Sequence, residues 1–282
     1  MNQLKTVALL GMLSGLLVTM GYWLGGTTGA VIGLAMAAVS NLVSWYQSDK
    51  IALAAYSAQP LSQGEAPRLH QMVKQLCRRD NLPMPRLYVV PSEAANAFAT
   101  GRDPQHAAIA LTQGIINLLP PDELEGVIAH ELSHIKNRDT LTQAVAATIA
   151  GAISFALQYS LWFGGNSRGR QQGGGNPLGL LLAIVVTPLA ATVIQMAISR
   201  TREFAADASA AALTGNPRAL AQALERLEQG TRGVPLEGNP CFEPLLIVQG
   251  GFTQNLANLF ATHPSTEARI KKLLQLELEL KS

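Results

Sequence analysis

The chain has 282 residues, of which 48% are hydrophobic and only 14% charged, against about a quarter charged in an ordinary soluble domain. That length holds one or two domains, and a formal net charge of +2 argues against the strongly basic surface of a nucleic-acid binder. Cys77 and Cys241 stand alone, which excludes a disulfide framework or a CxxC metal site and fits a reducing compartment.

The apolar excess begins at the N-terminus. Residues 6–24 (TVALLGMLSGLLVTMGYWL) and 28–46 (TGAVIGLAMAAVSNLVSWY) carry no charged side chain and are separated by Gly25, Gly26 and Thr27. Each matches the roughly 20 apolar residues needed to cross a bilayer. The first is too long for a signal peptide, lacks a cleavage site and runs into a second span. Tyr22, Trp23, Trp45 and Tyr46 fall where interfacial aromatics belong. Residues 1–46 are therefore expected to form a transmembrane hairpin.

Residues 47–140 read as a soluble segment. After a polar linker at 57–64, residues 67–80 (PRLHQMVKQLCRRD) form an amphipathic pattern, with Leu69, Met72, Val73 and Leu76 on one face. His70 and Cys77 lie on that helix, where such residues usually serve packing or the surface. Pro83 and Pro85 end it, and residues 86–90 (RLYVV) predict a strand. Residues 96–101 (NAFATG) and 106–111 (HAAIAL) predict two more strands, and the Gly101–Pro104 turn between them implies an antiparallel hairpin. Such a strand either holds an extended peptide by its main chain or is plain structural sheet.

A helix follows. Pro120, Pro121 and Asp122 suit a helix start, and Asp122 with Glu125 has the spacing of a capping box. Leu124, Val127, Ile128, Leu132 and Ile135 recur at helical spacing. On the edge of that stripe lies His130-Glu131-Leu132-Ser133-His134. Residues four apart share a helix face, so both imidazoles can reach one metal ion. Glu131 sits about 100° further round, placed to lean over a metal-bound water. Chance matches to the five-letter pattern are common, and two helix histidines without a metal are the plain alternative. The helical setting favours the metal.

Residues 141–163 and 178–198 are again apolar and free of ionisable groups, joined by the loop GGNSRGRQQGGGNP. They are long enough to span, although Gln143, Gln158, Gln195 and Pro188 would also suit buried core helices. If all four stretches cross, Lys5, Lys50, Lys136, Arg138, Arg200 and Arg202 share one side and only Arg168 and Arg170 the other. The excess of basic residues places both termini and the histidine helix in the cytoplasm.

The last segment, 199–282, opens with SRTREFAADA, in which Glu203 and Asp207 are four apart on a helix face. A catalytic zinc usually has three protein ligands and a water, and two histidines with one glutamate is a known set. Glu203 fits the third place, with Asp207 one turn on to orient a ligating ring. Asp139, Glu225 and Glu228 remain alternatives, and both acids could instead pair with Arg200 or Arg202 on the surface. Residues 217–230 predict an amphipathic helix, 231–252 are irregular, and Ser265 is a candidate cap for a closing helix after Thr262-His263-Pro264.

Taken together, the N-terminal spans, NAFATG, HELSH, the later apolar hairpin, SRTREFAAD at 199–207 and THPS at 262–265 resemble the HtpX family of bacterial membrane metalloproteases, relatives of the CAAX prenyl proteases. The resemblance covers nearly the whole chain. It implies an α+β membrane protein with a mostly helical, zincin-like protease domain. That fold carries a small antiparallel sheet and four hydrophobic helices in two hairpins. It implies that His130, His134 and Glu203 bind one Zn2+, that Glu131 is the general base, and that Asp207 supports the site. Asn96 and Phe98 would lie along a substrate groove, while His263 either contacts the developing oxyanion or only begins a helix. The implied activity is endopeptidase cleavage of membrane or misfolded proteins at the cytoplasmic face of the inner membrane, in quality control and stress response. A prenyl-protein processing protease and a zinc-stabilised scaffold without catalysis are the alternatives. Glu131 counts against the scaffold, since a structural zinc wants a fourth protein ligand and no base. A transporter would need intramembrane ionisable groups, which the apolar stretches lack.

Overall fold

In the computed structural model of the protein, the described residues are 2–147, 149, 200–231, 236, 245–248 and 264–281. Most of them are helical. A small mixed sheet and two helices of membrane-spanning length and composition complete the architecture.

Helix α1 (Asn2–Ala55) is two helices in one, interrupted by the non-helical Gly25 and Gly26. Its arms, Thr6–Trp23 and Gly25–Ala55, are the candidate spans. They fold back antiparallel. Asn41 donates to Ser14 Oγ at 2.9 Å, and nearer the tip Gly21 meets Gly29. A Cβ on Gly21 would lie 2.2 Å from the Gly29 carbonyl oxygen, so only glycine lets the backbones come so close. Val31, Leu34, Val39 and Leu42 point outward and are exposed, as a lipid-facing surface requires. The second arm does not stop at Tyr46, where the sequence pattern ends it. It runs to Ala55 and delivers Ala52, Leu53 and Tyr56 to the sheet.

The sheet has the order β1–β2–β4–β3, from strands β1 (Gln59–Pro60), β2 (Arg86–Val90), β3 (Ala97–Gly101) and β4 (Ala107–Thr112). The expected β3–β4 hairpin is present and antiparallel, with Ala97 opposite Leu111 and Gly101 opposite Ala107. The expectation of a purely antiparallel sheet is corrected, because β2 runs parallel to β4, Arg86 opposite Ala108 through Val90 opposite Thr112. The chain crosses from β2 to the far edge before returning, so β4 slots between its two neighbours. Alternation splits the faces. Ala97, Ala99, Ile109 and Leu111 join the main core, while Phe98, Ala108 and Ala110 face Tyr56 and the end of α1.

Helix α2 (Pro67–Arg79) buries Leu69, Val73, Leu76 and Cys77 against the main core. A short helix α3 (Gln113–Leu118), capped by Thr112 Oγ1, leads to α4 (Pro121–Lys136). The capping box expected from Asp122 and Glu125 does not form. Pro121 occupies the first helical position, no side chain caps the start, and Glu125 instead pairs with Arg79. Proline suits that position because its missing N–H would be unpaired there anyway. Residues 139–147 are helical and begin the third apolar stretch. Leu141, Val145, Ala146 and Ile149 pack on Leu9 and Leu13 of α1. The rest of the expected second hairpin lies outside the described residues.

Helices α5 (Arg200–Thr214) and α6 (Pro217–Thr231) pack on α4, and α7 (Thr266–Lys281) packs on α5 and α6. Gly126 of α4 lies against the backbone of Leu220, with 3.2 Å available to a Cβ, which brings α4 and α6 together. Arg226 of α6 bonds Glu123 in the first turn of α4 at 2.9 Å. Ser265 accepts from the Ala268 N–H at 3.3 Å, as expected of a cap.

Candidate metal centre

The core stripe of α4 buries the helix so deeply that its polar edge is buried with it. His130, Glu131 and His134 are all at most 6% exposed. Their helical spacing turns the two imidazoles toward each other, with ring centroids 4.8 Å apart and the Nε2 atoms separated by 3.1 Å. Helix α5 brings Glu203, also buried, to the same point. One carboxylate oxygen lies 3.7 Å from His130 Nε2 and the other 3.6 Å from His134 Nε2. Ligand atoms on a tetrahedral ion with bonds of about 2.0–2.1 Å lie about 3.4 Å apart. Each nitrogen is thus close to that separation from its own Glu203 oxygen, and one donor atom from each of the three residues lies within 4.8 Å of the others, a group that could hold a single ion.

The other nitrogen of each ring is held by an aspartate. Asp207, one turn beyond Glu203 on α5, lies 2.9 Å from His130 Nδ1. Asp139, just past α4, lies 3.1 Å from His134 Nδ1. A carboxylate accepts and does not donate, so each Nδ1 carries the proton. Both Nε2 atoms then converge with Glu203 alongside, where they need either a metal ion or a shared proton between them. Such a cluster of acceptors is unfavourable without a cation between them.

The electrostatics show the same demand. Burial disfavours a charged His134, but Glu203, the Asp139 hydrogen bond and Glu131 outweigh it and hold the imidazole up to about 9. Burial pushes the Glu131 carboxyl upward, Glu203 adds to that, and the pull of His130 and His134 does not reverse it. Burial likewise works against the Asp207 anion, yet the Arg269 guanidinium dominates and keeps the carboxyl far below its usual range.

Arg269, on α7, is the functional residue that sequence reasoning missed. It is buried and grips Asp207 through two hydrogen bonds, Nε to Oδ2 at 2.8 Å and one Nη to Oδ1 at 2.7 Å. Its remaining nitrogen donates to the Ile247 carbonyl at 3.1 Å. A signal was present, since Arg269 shares a helix face with Leu273 and Leu276 at spacings of four and three and so stood on an apolar stripe. Arg202 plays a parallel part at 3.0 Å from Asp139.

Of the other sequence candidates, Asn96 is buried beside β3, where its amide donates to the Val248 carbonyl at 2.7 Å. The Ile247 N–H donates to the Ala97 carbonyl at 3.0 Å, so residues 245–248 lie along part of the outer edge of β3. Phe98 is not brought to the metal centre; its ring packs 5.3 Å from Tyr56 on the opposite sheet face. His263 lies outside the described residues.

Two imidazoles and a carboxylate from separate helices, braced by aspartates and flanked by a second buried carboxylate, are the framework of a metal-dependent hydrolase. Comparison with known proteins agrees. The model of peptidase family M48 matches residues 63–277, and the chain belongs to that family, a membrane-associated metalloprotease by its relatives and its apolar N-terminal helices. A protease HtpX homolog from Nostoc punctiforme is 65% identical over 283 residues, covering 99% of this chain and 98% of the relative. One from Pyrococcus furiosus is 46% identical over 280 residues, covering 98% and 96%. Among solved structures, S. mikatae Ste24p aligns with a TM-score of 0.52 at 20% identity, over 96% of this chain. That likeness speaks for the fold, and the chain spans 65% of the length of the Ste24p chain.

Proposed function

We propose that the protein is a zinc-dependent endopeptidase with one Zn2+ per chain, held by His130, His134 and Glu203, and with Glu131 as its general base. The observation that carries this reading is the pair of imidazole Nε2 atoms facing each other at 3.1 Å while each Nδ1 is committed to an aspartate. Glu203 at 3.6–3.7 Å makes the donor set one nitrogen pair and one hard oxygen, which suits zinc.

The ion, when bound, supplies Lewis acidity that lowers the pKa of a water and polarises a peptide carbonyl. The remaining work belongs to the chain. Asp207 and Asp139 fix the tautomer and tilt of the two rings, and Arg269 keeps Asp207 ionised in its buried place. Glu131, lifted toward protonation by burial, accepts the proton of the attacking water and returns it to the leaving amine nitrogen. The part of the β3 edge beyond the 245–248 contact, around Ala99, would align an extended peptide beside α4 through main-chain hydrogen bonds, with Asn96 anchoring that contact at the start of the strand, and His263 would contact the developing oxyanion.

Substrates are proposed to be membrane proteins or misfolded chains met at the cytoplasmic face of the inner membrane, in quality control and stress response. Only residues 137 and 138 separate α4 from the helical stretch 139–147, which packs against α1. The centre therefore sits close to the hairpin. The two apolar stretches beyond residue 140 are proposed to form the second spanning pair. Bound metal by elemental analysis and casein cleavage in wild type, Glu131→Gln and Glu203→Ala test the assignment. Glu131→Gln should keep its zinc and lose about 10²- to 10⁴-fold in turnover, whereas Glu203→Ala should lose both. Cleavage retained by Glu131→Gln would remove the mechanism.

A further inference from the structure

A cavity of about 300 Å³ lies where the hairpin, the start of the third apolar stretch and the β3–β4 turn meet, lined by Thr6, Trp45, Tyr46, Arg102, Asp103, Arg138 and Leu141. Its place along the hairpin is defined. Thr6 begins the first candidate span and pairs with Thr142 through their hydroxyls at 2.9 Å, while Trp45 and Tyr46 sit opposite on the second arm. This is the level at which apolar spans give way to the aqueous side, marked by the two aromatic rings.

The cavity is polar on one wall and apolar on the other. Arg102 lies over the Tyr46 ring, 5.2 Å from its centroid. Asp103 is 3.5 Å from Arg102 but is chiefly engaged by His106, whose ring and backbone nitrogens lie 2.7 and 2.9 Å from Oδ1. Arg138 is exposed, fixed by a left-handed backbone (φ 55°) in the turn between α4 and residue 139. Two guanidinium groups thus share the cavity with one carboxylate that is already hydrogen-bonded elsewhere. On the apolar side, Val7 next to Thr6 and Leu42 one turn before Tyr46 are exposed, a surface along which a hydrocarbon chain could lie.

We propose that this cavity binds the phosphate of an anionic membrane lipid, with Arg102 and Arg138 as its ligands and Trp45 and Tyr46 against the glycerol. Planar guanidinium forks match phosphate oxygens, and basic pockets beside spans on the cytoplasmic side are suited to phosphodiester headgroups. The cavity volume is at the lower end of the range for small-molecule sites, enough for a headgroup with its tails outside. Bound there, the headgroup would touch the catalytic body from both ends. Arg138 precedes Asp139, which orients His134, and Arg102 follows β3, whose Ala99 N–H acts on Glu131. The inference rests on α1 lying in a bilayer, not on the metal centre.

The test is native mass spectrometry of the full chain released from micelles carrying equimolar phosphatidylglycerol and phosphatidylcholine. Phosphatidylglycerol should be retained preferentially by wild type, and Arg102→Gln with Arg138→Gln should weaken that retention about fivefold per arginine, about 30-fold together. The Arg102→Lys, Arg138→Lys pair, which keeps the charge and loses the fork, should fall between wild type and the glutamine pair, and unchanged metal content would show that the variants remain folded. Equal retention of the two lipids, or retention unaffected by the glutamine pair, would overturn the proposal. So would stabilisation by inorganic phosphate through the same arginines without lipid retention, which would assign the cavity to a free anion. Resistance of the protein to carbonate extraction from membranes checks the bilayer premise separately, and neither readout depends on turnover.

Discussion

The N-terminal hairpin and the metal centre are built inside out relative to each other. In α1 the large apolar side chains face outward and the arms meet through glycines and an Asn41–Ser14 hydrogen bond. In the body the leucines and isoleucines are inside, and a knot of six buried charged or titratable side chains on α4, α5 and α7 is wrapped by them: His130, Glu131, His134, Glu203, Asp207 and Arg269. The difference follows from the surroundings. Against lipid, exposed leucine costs nothing and backbone contact has to come from small residues. Against water, apolar burial supplies enough stability to carry a desolvated ionic cluster that is itself costly.

The contrast can be broken at its most stressed point. Arg269→Met removes the partner of a buried carboxylate and should destabilise the body by about 3–5 kcal/mol in chemical unfolding, with part recovered by adding Asp207→Asn. A matched pair of truncations sharpens it. Leu224→Ala, in the core, should cost about 2–5 kcal/mol, while Leu42→Ala, on the outward face of α1, should stay within about 0.5 kcal/mol, both read by thermal unfolding in detergent. Gly21→Leu should force the arms apart at Gly29 and cost about 1–3 kcal/mol, without altering the metal content of the body. The smallest effect concerns Cys77, whose thiol burial pushes up to about 11. At neutral pH it should react with a maleimide far more slowly in the native protein than after denaturation, as counted by mass.

What could be read in advance was whatever is local along the chain. His130, Glu131 and His134 are set by helical spacing alone, and the β3–β4 hairpin by its Gly–Pro turn. The direction of β2 was not legible, because alternation of buried residues is the same for a parallel and an antiparallel neighbour. Glu203 needed the chemistry of a third ligand to single it out from other acids, since 68 residues separate it from His134... a gap that no periodicity bridges. Asp139 was weighed as a ligand, and its role as the acceptor for His134 emerges only when α4 turns at residues 137–138. Arg269 was hidden by its ordinary setting in an amphipathic helix, where arginine usually points to solvent.

The unbroken passage of α1 from Tyr46 to Ala55 has a mechanical consequence. About 14 Å of continuous helix joins the candidate spans to the sheet with no helix break, so with the hairpin in a bilayer the candidate metal centre would be carried at a set height and heading rather than swinging on a tether. Such a mount would act as a ruler. It would select polypeptide by how far a segment protrudes from the lipid, before any side chain is read.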